Sequence, residues 1–303
     1  MSKSLDRLTL LDTFVRIADA GSISAAARDL GLSQPSASRQ LAELESRFKT
    51  QLMRRTTHDL SLTAAGVELL ADARQLLDQW EALEEKYLAT ETTPQGRLKV
   101  VVPIALGQLH LLDIVLRFQQ LYPLIDLSWQ LQDGNIRFAE VGCDCWIKIG
   151  PVSDESLIVE PLGQVERMVV AAPSLLRTQG HPKTPKALEK LPFVTLAPFE
   201  GGQIPLTNSH GKQVMLTPSA RMNTNSITAL HKATLAGLGA AIMPRWFIEE
   251  DLTQQHLVDL LPQWRAPRLT ICVASLPGRY RPRRLRAFLD TLKTEVPLIP
   301  GIA

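Results

Sequence analysis

"GSISAAARDLGLSQPSASRQLAELE" (residues 21–45) sets three alanines, a Gly-Leu step and a cluster of Ser, Gln and Pro close together. Ser22 or Ser24 can cap a helix running through Ala25, Ala26 and Ala27 to Leu30. Gly31 then stands where a left-handed turn residue is needed, and it has no Cβ to oppose that backbone. Ser33 is the next N-cap, and Pro35 is tolerated in a first turn because the early N–H groups there lack intrahelical partners. The second helix carries apolar residues at Ala37, Leu41, Leu44 and Phe48, which predicts one buried stripe. Its other face presents Gln34, Ser36, Arg39, Gln40 and Glu43. The small alanines let the two helices approach closely. Together they predict a helix-turn-helix whose second helix offers hydrogen-bonding side chains long enough to reach base edges.

Two amphipathic helices joined by a glycine also occur in all-α proteins that never touch DNA, so the flanks decide. Upstream, Leu8, Leu11, Phe14, Val15 and Ala18 form the stripe of a supporting helix. Downstream, "QLMRRTTHDLSLT" (51–63) reads as strand, basic turn and strand, hence a wing with Arg54, Arg55, Thr56, Thr57 and His58 at its tip. Between residues 33 and 58 five Lys/Arg stand against two Glu, the local excess that phosphate contacts require. The candidate DNA-reading set is Ser33, Gln34, Pro35, Ser36, Ser38, Arg39 and Gln40, joined by the wing residues. Arg39 can be bidentate to a guanine edge or can bind a phosphate.

The chain has 303 residues, enough for two domains, with 45% hydrophobic and 21% charged residues. Net charge is only +2, so any nucleic-acid surface must be local. No apolar run has the length of a signal peptide or a membrane span, which predicts a cytoplasmic protein without a membrane partner. Three cysteines make no disulfide framework. Cys143, Cys145 and Cys272 read as buried small hydrophobes, with a redox or metal sensor as the sharper alternative. The six histidines show no metal-ligand spacing, and no HExxH, GxSxG or P-loop motif is present, so neither enzyme, metal nor cofactor is expected. "AGLGAAI" (236–242) lacks the third glycine of a dinucleotide motif and follows a helix instead of a strand. "GRYRPRRLRAF" (278–288) is read as a solvated helix start in preference to a second DNA surface.

After the wing, Leu69, Ala73, Leu76, Trp80, Leu83 and Tyr87 recur at heptad spacing. A helix from about Ala64 to Ala89 would span about 40 Å. It ends in the polar stretch "TETTPQGR" (90–97), which favours a coiled-coil dimer seam over a helix packed only on its own domain. From Leu98 the texture changes to strands alternating with helices: "LKVVVP", "GQLHLLDIVLRFQQLYP", "LIDLSWQLQ", "CDCWIKIG", "RMVVAAP", "FVTLAP", a helix over Ser226 to Ala236, "AAIMP", "LTICVAS" and a last helix near Arg283 to Thr294. That alternation predicts α/β layers.

This order resembles the LysR-type transcriptional regulators. "GSISAAARDLGLSQPSASRQLAELESRF" and "LMRRTTHDLSLTAAG" resemble their N-terminal signature, and "DCWIKIG" and "NSITALHKATLAGLGAAIMP" resemble two later family segments. The similarity runs from about Leu5 to Val296. It implies an N-terminal, mainly α winged helix-turn-helix (1–63), a linker dimerisation helix (64–89), a hinge (90–97) and an α/β effector-binding domain (98–303). That last domain is periplasmic-binding-protein-like, with subdomain I at about 98–162 and 267–303 and subdomain II at about 163–266. By family position the effector cleft is lined by Pro103, Ile104 and Ala105; Trp146, Lys148 and Gly150; Ala197, Pro198 and Phe199; Asn225 and Ser226; and Pro244 with Trp246. The implied partners are double-stranded DNA bearing an inverted-repeat operator, a small-molecule effector, other copies of the chain as a dimer or homotetramer, and RNA polymerase. Lys148 and the helix start at Ser226 point to an anionic effector. Departures from the family pattern are Lys49 in place of a glycine, His58 and Asp59 at the wing tip, and Ala105 and Leu106 where a hydroxyl residue is common. Two rival readings stand beside this one. One is a solute-binding or enzymatic α/β protein with a helical oligomerisation module. The other is a LysR-type regulator triggered by oxidation of Cys143 or Cys145.

Overall fold

The computed structural model describes residues 6–55, 60–87, 93–199, 202–277 and 281–303. The N-terminal module comprises α1 (Arg7–Ala20), α2 (Ile23–Asp29), α3 (Gln34–Phe48), the antiparallel pair β1 (Met53–Arg55) and β2 (Leu60–Leu62), and α4 (Ala64–Tyr87). Ser22, not Ser24, caps α2, its hydroxyl accepting from the Ala25 amide at 3.4 Å. Gly31 takes φ 65° between α2 and α3, a backbone that costs an L-residue with a side chain free energy. Ser33 caps α3, and Lys49 ends it in the left-handed region at φ 52°, the role the resemblance gives to glycine.

Leu10, Phe14, Ile17, Ala26, Ala37, Leu41 and Leu44 close one core with Leu52 and Leu70. Each fully buried aliphatic or aromatic side chain there contributes about 1.5–3 kcal/mol. Phe48, the last residue of α3, departs from the expected stripe and is 52% exposed. Gly66 lets the first turn of α4 sit directly on the Leu52 carbonyl, where a Cβ would overlap backbone.

The residues at heptad spacing on α4 do not share one environment. Ala73 is buried in the N-terminal core, and Leu69 packs against it, so both face their own domain. Leu83 is half-buried. Leu76, Trp80 and Tyr87 remain 47%, 46% and 72% exposed.

The second half begins with β3 (Gly96–Val102), α5 (Ile104–Leu106), a π-wound turn (Gly107–Leu111), α6 (Leu112–Leu121), β4 (Ile125–Leu131), α7 (Phe138–Val141) and β5 (Cys145–Ile149). It continues with β6 (Ile158–Ala171), α8 (Pro173–Gln179), α9 (Pro185–Leu188), β7 (Pro192–Leu196), β8 (Ile204–Asn208), β9 (Gln213–Leu216), β10 (Ser219–Thr224), α10 (Ile227–Leu235), β11 (Ala241–Pro244) and α11 (Arg245–Thr253). β12 (Val258–Asp259), β13 (Trp264–Ser275), α12 (Arg283–Glu295) and a 3₁₀ turn (Val296–Leu298) complete it.

β3 pairs in parallel with β4 and β5, and Val100, Val101 and Val102 are wholly buried, as expected for a strand covered on both faces. The long antiparallel strands β6 and β13 pair along most of their length and join two subdomains. In the first, Leu98, Phe118, Ile147, Phe288 and Leu292 share one core, and Phe118 meets Phe288 edge-on at 5.2 Å, pinning α12 to α6. In the second, Val169, Phe193, Leu206 and Ile242 form another. The fold is therefore a winged helix-turn-helix with a linker helix, followed by an α/β domain of two subdomains. Among the described residues, no helix is long and apolar enough to cross a membrane.

Candidate nucleic-acid interface and ligand cleft

The start of α3 stands clear of the core. Ser33, Gln34, Pro35 and Arg39 are exposed, and Ser36 and Ser38 are half-exposed. The Ser33 hydroxyl accepts from the Ser36 amide at 3.3 Å, which fixes the first turn that would enter a groove. Gln40 does not belong to this surface. It is 6% exposed, and its Oε1 accepts a hydrogen bond from the Thr13 hydroxyl, so it ties α3 to α1. A polar side chain buried this way serves packing, because its hydrogen bond is satisfied internally.

Glu45, which sequence reasoning passed over, sets the wing. Its Oε1 accepts from the Leu52 amide at 2.7 Å and the Met53 amide at 3.2 Å, tying β1 to the recognition helix. Arg54 is exposed on β1, and Arg55 closes that strand. The expected contacts at Thr56, Thr57 and His58 lie outside the described residues.

Between the two subdomains lies a cavity of 390 Å³, of the size that takes a small organic molecule. Pro103 and Ala105, Trp146 and Lys148, Ala197, Pro198 and Phe199, Asn225, and Pro244 and Trp246 all line it. Three expected residues do not. Ile104 is turned outward and 38% exposed. Gly150 is backed by the Phe199 ring and has no side chain to offer. The Ser226 hydroxyl accepts from the Ala229 amide at 3.3 Å and so caps α10; Asn225 and Ile227 line the cavity on either side of it.

The lining is mostly apolar, with two cations, Lys148 and Arg167, against the carboxylate of Asp133. Asp133 accepts from the Ile104 amide at 3.0 Å, holding the start of α5. The Lys148 ammonium donates to Asn135 Oδ1 and lies 4.8 Å from the centre of the Trp146 ring. Partial burial lowers its pKa below the usual lysine value. Arg167 is 5% exposed, with its guanidinium 6.0 Å from the Phe199 ring centre. It was not singled out in the sequence because "RMVV" reads simply as the interior of a strand. His110, on the π-wound turn, lies 3.0 Å from the Trp246 carbonyl and edge-on to its ring, so a helix of one subdomain touches the first turn of α11.

All three cysteines are buried. Burial pushes the Cys143 thiol up to about 12 and raises Cys145 and Cys272 as well. Such thiols are held protonated and are poor nucleophiles.

Residues 8–67 match the family described as bacterial regulatory helix-turn-helix protein, lysR family, and residues 91–297 match the LysR substrate binding domain. The uncharacterized HTH-type transcriptional regulator YhjC of Escherichia coli K12 is 28% identical over 291 residues, covering 95% of this chain and 97% of its own length. The structure of CrgA, a LysR-type transcriptional regulator from Neisseria meningitidis, is similar with a TM-score of 0.58 at 26% identity, covering 97% of this chain and 99% of that one. ArgP from Mycobacterium tuberculosis shares the fold with a TM-score of 0.64 at 17% identity, covering 96% of this chain and 97% of that one.

Proposed function

The chain belongs to the LysR family of bacterial transcriptional regulators, and on that premise we propose that it reads an inverted-repeat operator through α3 and the wing under control of a small anionic effector held between its subdomains. Regulators of this family bind DNA and small molecules, form oligomers and are not enzymes. The observation that carries the effector reading is the cavity, in which an apolar lining surrounds Lys148 and Arg167. Apolar walls contribute affinity, and a few polar groups fix orientation. A carboxylate would meet Lys148 at one wall while its apolar body packs against Trp146, Phe199 and Trp246. The DNA-reading residues of the proposal are Ser33, Gln34, Pro35, Ser36, Ser38, Arg39 and Arg54. Leu76, Trp80, Leu83 and Tyr87 form the proposed dimer seam, and RNA polymerase is the downstream partner. The buried, protonated thiols speak against oxidation as the trigger.

A ligand shifts such a protein between states only through differential affinity for them. Thermal shift with small aromatic and aliphatic carboxylates, beside matched amides and amines, tests the effector class. At least one carboxylate is expected to stabilise the wild type, and Lys148→Met is expected to lose most of that shift while keeping its own melting temperature. Stabilisation by amides or amines and by no acid would overturn the anionic assignment.

A further inference from the structure

Among the described residues of the arginine-rich stretch, the first turn of α12 is not simply solvated. Arg284 is only 6% exposed, and its guanidinium meets Asp78 at 2.8 Å and also Glu81, both on the linker helix α4. One turn further along α4, the Glu85 carboxylate accepts the Arg283 amide at 2.7 Å and so caps the first turn of α12 from outside. The Arg283 guanidinium donates to the Glu85 carbonyl at 3.0 Å. Toward the other end of α4, Arg74 pairs with Asp19 of α1, and its guanidinium lies against Gly142, where any Cβ would overlap it. Gln75 donates to the Pro277 carbonyl at 3.0 Å. Arg74, Asp78, Glu81 and Glu85 thus make a second, charged stripe on α4, offset from the apolar one, and it faces the regulatory domain of the same chain.

We propose that this cluster is a latch: closed, it fixes the DNA-reading module against subdomain I of its own regulatory domain, and its opening lets that module reorient. None of its residues belongs to the DNA-reading set or to the effector cleft. Two features suit it to reversible closure. Its contacts are mainly ionic, and buried ion pairs are close to break-even, since desolvation offsets much of their attraction; an apolar seam of equal size would hold more firmly. A cavity of 180 Å³ also lies within the boundary, so the two faces are not packed to the density of a core.

The latch is expected to respond to pH. Burial, with Asp144 and Glu81 nearby, pushes the Asp78 carboxyl up to about 7 against the opposing pull of Arg284. Asp144 is raised in the same direction, chiefly by burial. The groups facing Asp78 come from every side. On α1 they are Asp12, Arg16 and Asp19, and on α4 Arg74 and Glu81. Arg97 and Lys99 on β3, Cys143 and Asp144 before β5, and Arg281 and Arg284 at α12 complete the ring. Opened to water, Asp78 returns toward the ordinary carboxylate value of about 4. Between those two values the closed form holds more protons than the open form. Closure is therefore favoured as pH falls and opposed as pH rises through about 7, by up to about tenfold per pH unit for each proton taken up.

Amide hydrogen exchange on the full-length protein tests this, with rates corrected for the intrinsic pH dependence. Peptides spanning 74–87 and 281–288 report the latch, and a peptide within β6 reports the core. In wild type, protection of the latch peptides is expected to fall by several-fold, up to about tenfold, from about pH 5.5 to about pH 6.5, with β6 unchanged. Arg284→Met is expected to lose latch protection at both pH values. Asp78→Asn, whose amide oxygen still accepts from Arg284, is expected to stay protected and lose most of the pH dependence. Protection that is independent of pH in wild type, or unchanged in Arg284→Met, would overturn the latch. Should Arg284→Met also expose β6, Asp78→Asn decides: loss of the pH dependence supports the latch, and its retention overturns it.

Discussion

Leu76→Glu and Trp80→Glu are each expected to dissociate the assembly at micromolar concentration and to take DNA affinity down with it. Both side chains are close to half exposed on α4, while the neighbouring stripe through Leu70 and Ala73 is buried in the N-terminal core. An exposed Leu and Trp four residues apart, with Tyr87 seven residues beyond Trp80, fit the narrow seam of a two-helix contact. In a symmetric pair each substitution would bury two uncompensated carboxylates. A penalty of about 4 kcal/mol or more follows, roughly a thousandfold in the dissociation constant. Light scattering reads the mass, and circular dichroism should show the helices retained, because neither residue supports the monomer core. An unchanged mass for both variants would remove this face of α4 from the interface.

Arg39→Ala is expected to weaken binding to a selected DNA site by about 5- to 150-fold, the range of about 1–3 kcal/mol that one base-reading side chain supplies. Its side chain is exposed on α3 beyond Ser33, Gln34 and Pro35, so stability should hold. Salt titration separates the two roles open to it. If Arg39 binds a phosphate, its removal lowers the slope of log affinity against log salt by about one; if it reads a base, its removal relaxes sequence preference at one position. Wild-type affinity at matched salt would remove Arg39 from the reading set. Gln40→Ala should behave oppositely, lowering the melting temperature because the buried tie between α3 and Thr13 of α1 is lost while sequence preference is kept.

The helix-turn-helix was legible because its information is local. Caps at Ser22 and Ser33, a glycine at 31 and an apolar stripe with small alanines each act within a few residues. What α3 does with Gln40 and Phe48 was not local. Gln40 turns inward because Thr13, far away in the chain, supplies its hydrogen bond, and Phe48, at the end of α3, is left outside the core. The heptad pattern on α4 was real, yet period alone cannot say whether a residue meets its own domain or another copy. Ala73 and Leu69 chose the first. In the regulatory domain, the buried runs of β3 and β13 announced themselves, but the β8–β9 hairpin did not. Its strands are short and interrupt their apolar residues with Pro, Thr, Asn and Gln, and its turn is held by the Asn208 side chain accepting from the His210 and Lys212 amides. The cleft positions came from family resemblance; no pattern in the residues would have gathered Pro103, Trp146, Phe199 and Trp246 to one cavity. Arg284 was misread for a related reason: a basic run reads as solvated until the acidic face of α4 is brought against it.

Recognition of a specific DNA sequence by α3 and the wing should occur within a symmetric assembly. Selection of bound duplexes from a random pool by the full-length protein, followed by sequencing, tests it most directly. The expected result is enrichment of an inverted repeat with half-sites spaced by about one helical turn or a multiple of it, and loss of preference at one symmetric pair of positions with Arg39→Ala. Duplexes bound without any enriched motif, or a motif unaltered by Arg39→Ala and by every other exposed residue at the start of α3, would contradict it.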